Sequence, residues 1–90
     1  MNINIKRWTV IFRALSNPNR LKIIKMLSGN RKMTVGDIAG SLKISFNATS
    51  NHLAMLKNLD VLEAEGRDGH VFYFRNSKMP NDFRKILNHI

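Results

Sequence analysis

TVGDIAGSLKISFNATSNHLAMLKNLDVL, residues 34–62, is the stretch on which the reading of this chain turns. Val35, Ile38, Ala39 and Leu42 recur at helical rather than alternating spacing, so the segment opens with a short helix. Thr34, followed three residues later by Asp37, marks its start as a capping box in which Asp replaces the usual Glu or Gln. Lys43-Ile44 forms a turn, with Ile44 as its apolar plug, and Ser45 caps a second helix whose inward row is Thr49, Leu53 and Leu56. Two helices joined by about three or four residues make a helix-turn-helix, a unit whose second helix enters the major groove of DNA.

Outward from that stretch the chain supplies more helices and one hairpin. Ile5, Trp8, Phe12 and Leu15 line one face of a helix over residues 5–15. Asn17 and Pro18 restart the chain as an N-cap and a first helical residue whose missing N–H costs nothing. The helix over residues 18–27 turns Leu21, Ile24 and Leu27 inward and ends near Gly29, a left-handed terminator. Residues 61–67 and 71–75 read as strands joined by Arg67-Asp68-Gly69-His70, where Asp-Gly predicts a two-residue hairpin turn. A linker containing Pro80 leads to a last helix over residues 81–90, with Phe83, Ile86, Leu87 and Ile90 along one side. The expected fold is therefore mainly α with a small β-hairpin, in the order α-α-α-α-β-β-α, as a single domain over residues 1–90. The helix-turn-helix occupies residues 34–59 and the hairpin, residues 61–75, forms a wing beside it.

Composition points to a polyanionic partner. The formal charge is +9 in 90 residues, and 43% apolar content excludes wholesale disorder. All six acids lie beyond residue 36, whereas Lys6, Arg7, Arg13, Arg20, Lys22, Lys25, Arg31 and Lys32 precede it. The absence of cysteine removes disulfides, thiol chemistry and Cys-based zinc sites, and it fits a cytoplasmic protein. Lys6, Arg7 and Arg13 interrupt any signal-peptide apolar run, and no stretch approaches the roughly 20 apolar residues of a membrane span, so no membrane partner is expected.

These residues resemble the ArsR-type winged helix-turn-helix repressors. The resemblance covers residues 12–75 and rests on ALSNPNRLKIIKML (residues 14–27) and DIAGSLKISFNATSNHLAMLKNLDVLEAE (residues 37–65). Within the second segment it rests on Ser50, His52, Leu53 and Leu56, and in the second wing strand on Tyr73. Asp60-Val61 stands where the family usually has Gly-Leu, and Phe46-Asn47-Ala48 is unusual at the start of the recognition helix. The family's metal-binding cysteines are missing, so neither a metal site nor a cofactor is expected. Asp82 and His89, seven apart on one helix, are too widely spaced to hold one ion together.

With Thr49, Leu53 and Leu56 inward, the outward row of the second helix is Asn47, Ser50, Asn51 and Ala54. Asn bonds bidentately to adenine and Ser meets a base or a phosphate, so Asn47, Ser50 and Asn51 are the base-reading candidates. Phe46 joins them as a contact to a thymine methyl, with packing on the neighbouring helix as its alternative. The phosphate candidates are Arg31, Lys32, Lys43, Ser45, His52, Lys57, Arg67 and His70. Arg20 is expected to brace the core by pairing with an acid.

Ile5, Trp8, Phe12 and Leu15, with Phe83, Ile86, Leu87 and Ile90, are the candidate dimer face. The resemblance implies that helices over residues 1–15 and 81–90 form a two-fold interface, spacing two recognition helices about 34–36 Å apart. The expected function is sequence-specific binding of double-stranded DNA by a homodimeric transcriptional repressor at a palindromic operator. A protein–protein adaptor or an RNA-binding module built on the same scaffold is the alternative. An enzyme is not expected, because the chain offers no acid–base pair, nucleophile–base pair or phosphate-cradling loop.

Overall fold

A computed structural model describes residues 4–90 as five helices and a three-stranded sheet. Residues 1–3 of the first expected dimerisation segment lie outside the described residues. In chain order the elements are α1 (Ile5–Leu15), α2 (Pro18–Met26), β1 (Met33–Thr34), α3 (Val35–Leu42), α4 (Phe46–Asn58), β2 (Leu62–Arg67), β3 (His70–Arg75) and α5 (Asn81–Leu87). Each of the first four helices starts on a side chain that accepts a backbone N–H. Asn4 accepts from Arg7, Asn17 from Asn19 and Arg20, Thr34 from Asp37, and Ser45 from Ala48.

The sheet corrects the expected element order. β1 was not foreseen, and it pairs antiparallel with β3, giving the order β1-β3-β2. Two residues are too few to carry an alternating pattern, and this strand exists only because β3 offers it an open edge. The hairpin itself folds as expected. Asp68 and Gly69 both take positive φ, 51° and 79°, which closes a two-residue turn between Arg67 and His70.

One core joins all the layers. Ile11 and Ala14 of α1, Ile23 and Ile24 of α2 with Leu27, Ile38 of α3, Leu53 and Leu56 of α4, Val61, Leu62 and Met79 are buried together. Thr49 completes the inward row of α4, fully buried with its hydroxyl donating to the Ser45 carbonyl at 2.8 Å. Two expectations about facing are corrected here. α2 buries Ile23 rather than Leu21, which is half-buried. In α5, Phe83 (0% exposed) and Leu87 (4% exposed) belong to the chain's own core instead of a dimer face, and the helix ends at Leu87 rather than Ile90. The shorter helix turns Phe83 and Leu87 into the core, and an ion pair between Arg7 and Asp82 (2.9 Å) joins it to α1.

Asp60 explains how α4 gives way to the sheet. It adopts φ 61° just after the helix, with the N–H of Val61 donating to the Leu56 carbonyl at 3.0 Å. That is a left-handed helix terminator of the kind glycine usually fills, and here it carries a negative charge at the negative end of the helix dipole. Asp60→Gly is therefore expected to stabilise the fold by about 0.5–1 kcal/mol, the relief of strain and charge outweighing glycine's entropy in the unfolded chain. Urea denaturation measures this; a lower midpoint would refute it.

Candidate nucleic-acid interface

The turn between α3 and α4 sets the reading helix at its angle. Lys43 takes the left-handed conformation (φ 57°), its N–H donating to the Gly40 carbonyl at 3.3 Å and that of Ile44 to the Ala39 carbonyl at 3.2 Å. This ends α3 without glycine and leaves the Lys43 side chain exposed at the corner. Ser45 follows as the N-cap of α4, its oxygen accepting from the Ala48 N–H at 3.0 Å. The hydroxyl proton of Ser45 remains free to donate outward.

With Thr49, Leu53 and Leu56 buried, Asn47, Asn51 and Ala54 are exposed and Ser50 is half-exposed. Phe46 is 60% exposed. It lines a hollow of about 440 Å³ with Thr34, Val35 and Gly36 on one side and Gly69, His70 and Val71 of the wing on the other. Val71, 47% exposed, was not singled out from the sequence, because strand alternation says which face it takes but not that this face runs past the edge of the core.

His52 and Arg20 form a link that the sequence did not indicate. Among the described residues Arg20 meets no acid. Its Nε donates to the Ala14 carbonyl at 2.6 Å and its Nη2 to the Arg13 carbonyl at 2.9 Å, so it closes the open C-terminal end of α1. Its Nη1 lies 3.3 Å from Nδ1 of His52. A guanidinium only donates, so Nδ1 is the acceptor and the imidazole proton sits on Nε2. Burial, followed by the charge of Arg20, pushes the His52 imidazole below its usual range and keeps it neutral. The dimer-candidate helix α1 is thereby tied to the reading helix through one side chain.

The cationic candidates fall into three settings. Lys43 and Arg31 are exposed, and among the described residues neither joins an ion pair. Lys57, in the last turn of α4, lines a hollow with Asp60, Glu63 and Glu65, whose carboxylates oppose its charge. Lys32 and Arg67 both reach Glu65 on the outer face of the wing, at 2.9 and 3.7 Å. The hydrogen bond and charge of Lys32, with a smaller effect from Arg67, hold the Glu65 carboxyl below its usual range. His70 stands opposite Arg67 at the wing tip, its ring edge-on to Phe72 with 6.4 Å between centroids.

Of the expected dimer face, Ile5 (70%), Phe12 (60%) and Ile90 (47%) are strongly exposed, while Trp8, Leu15 and Ile86 are half-buried at the core's edge. Trp8 and Phe12 stack at 5.6 Å between ring centroids. Asp82, its carboxyl held low by hydrogen bonds from Arg7, is engaged within the chain. Among the described residues no three His, Cys, Asp or Glu side chains converge to hold a metal, and no helix is long and apolar enough to cross a membrane.

A capped two-helix unit with a polar outward row, flanked by a two-stranded wing, defines a winged helix-turn-helix protein. Comparison with known proteins narrows the class. The family model described as "Bacterial regulatory protein, arsR family" matches residues 17–64, and the chain belongs to that family. Over 72 residues it is 36% identical to the transcriptional repressor SdpR of Bacillus subtilis (strain 168), covering 80% of this chain and 79% of that protein. It is 32% identical over 90 residues to the transcriptional activator HlyU of Vibrio cholerae, spanning all of this chain and 82% of HlyU. The structure of HlyU from Vibrio cholerae N16961 superposes with a TM-score of 0.79 at 27% identity, over 99% of this chain and 92% of HlyU. The chain is thus a DNA-binding transcriptional regulator and not an enzyme.

Proposed function

We propose that this regulator binds a palindromic operator as a homodimer and represses by occluding a promoter. The observation that carries the proposal is the outward row of α4, which is polar and free of ion pairs among the described residues, between the wing and the corner of Lys43. Asn47, Ser50 and Asn51 read base edges, and Phe46 meets a thymine methyl at the helix start. Arg31, Lys43 and the Ser45 hydroxyl anchor one phosphate run, and Nε2–H of His52 donates to another. Lys32, Lys57, Arg67 and His70 are the remaining backbone contacts. Two copies meet through Ile5, Trp8, Phe12, Leu15, Ile86 and Ile90, setting the two reading helices one helical turn apart.

Selection of bound duplexes from a random pool, at a stated salt concentration, tests this reading. A palindromic consensus with half-sites about 10–10.5 bp apart is the expected result. An enriched pool without symmetry would remove the dimeric operator from the proposal. Asn51→Ala is expected to lower discrimination between the selected site and random duplex by roughly 1–3 kcal/mol, with random binding nearly unchanged. Equal losses on both duplexes in a fluorescence titration would take base reading away from Asn51.

The adaptor reading keeps one specific observation in its favour, the pair of exposed apolar side chains Phe46 and Val71 that border the wing hollow. Binding that hardly responds to salt, with no preference among duplexes, would favour it over DNA recognition. Binding of RNA in preference to duplex DNA would favour the RNA-binding variant.

A further inference from the structure

We infer that Glu65 is a built-in competitor of phosphate that holds Lys32 and Arg67 away from non-cognate DNA and so sets the protein's specificity ratio. The inference rests on the DNA-binding reading above and adds a residue to it whose charge has the wrong sign for a contact. Glu65 lies on β2 opposite Phe72 of β3, which in turn pairs with Thr34 of β1. Cross-strand partners share a face, so Glu65, Arg67, His70, Phe72 and Phe74 stand on the outer side of the wing. Lys32, just before β1, reaches the same side.

The geometry places two cations on one carboxylate. Nζ of Lys32 donates to Oε2 at 2.9 Å, and Nη2 of Arg67 stands 3.7 Å from Oε1. The Lys32 ammonium also lies 4.6 Å from the centre of the Phe74 ring, which fixes where it rests. All three charged side chains keep between 40% and 66% of their exposure, so the cluster is an open latch. Such a cluster can exchange Glu65 for a phosphate oxygen without unfolding anything. Exposed pairs of this kind are weak, and a tightly fitted duplex can displace the carboxylate where a loosely docked one does not. By contrast, Glu63 is on the same strand and face but, among the described residues, pairs with no cation.

A charge-matched comparison tests the latch. Glu65→Gln should strengthen binding to random duplex by up to roughly 60-fold at 0.1 M salt and steepen the salt dependence by about two units, the effect of two added phosphate contacts. Glu63→Gln removes the same charge two residues away, where among the described residues no cation stands within ion-pairing distance, so it should shift affinity less than twofold with the slope nearly unchanged. Replacing both Lys32 and Arg67 with alanine in the Glu65→Gln background should return the slope to that of the unaltered protein. Circular dichroism melts confirm that each variant is folded before titration. If Glu65→Gln behaves as Glu63→Gln does, on a protein that still binds duplex with steep salt dependence, the latch is wrong and the DNA-binding reading stands. If the unaltered protein shows no salt-dependent duplex binding, both fall.

Discussion

Phe83→Ala is expected to destabilise the chain by about 3–5 kcal/mol, a large part of what holds a domain of this size together. Phe83 has no exposed surface and contacts the core formed by α1, α2, α4 and the sheet. The Arg7 guanidinium sits 5.3 Å from its ring centre while also bonding Asp82, so removing the ring leaves a void beside a fixed ion pair. Urea denaturation gives the loss directly, and sedimentation of the folded variant should show self-association unchanged. A loss below about 1 kcal/mol together with weakened association would return Phe83 to the interface.

Phe12→Glu should have the opposite profile. Phe12 is 60% exposed and stacks only on Trp8 within the chain, so the folded monomer should lose no more than about 0.5 kcal/mol. If α1 forms half of the two-fold face, a carboxylate there meets its own copy and an apolar partner surface, and the dimer separates. Operator affinity then falls roughly 10²- to 10⁴-fold, because two linked half-sites become two separate weak ones. Analytical ultracentrifugation and an operator titration check both parts. A variant that remains dimeric and binds normally would move the interface away from Phe12. Together the two substitutions separate residues that one apolar pattern had grouped: Phe83 should fail by unfolding and Phe12 by dissociation.

The Arg20 link gives the proposed dimer a route to the DNA. It ties the carbonyl end of α1 to His52 on the face of α4 beside its buried row. A shift of α1 within the dimer would therefore be felt at the reading helix through the Arg20 side chain, whose guanidinium bonds both the α1 carbonyls and His52. His52 stays neutral in this arrangement, which keeps its Nε2–H a constant donor near pH 7.

The local grammar of the sequence determined most of the elements. Three capping side chains and the Asp-Gly turn act over a few residues, and each of them is present where it was read, from Asn17 and Thr34 to Ser45 and Gly69. The polar outward row of α4 followed from its buried row by periodicity alone. The tertiary structure decided which apolar face each helix turns to the core, because that depends on partners far along the chain. Phe83 is buried in a core built from distant elements, β1 exists only against β3, and Arg20 finds carbonyls and His52 where an acid was expected. The pairing of Lys32 with Glu65, residues 33 apart in sequence, belongs to the same class, since only the folded sheet brings them within bonding distance.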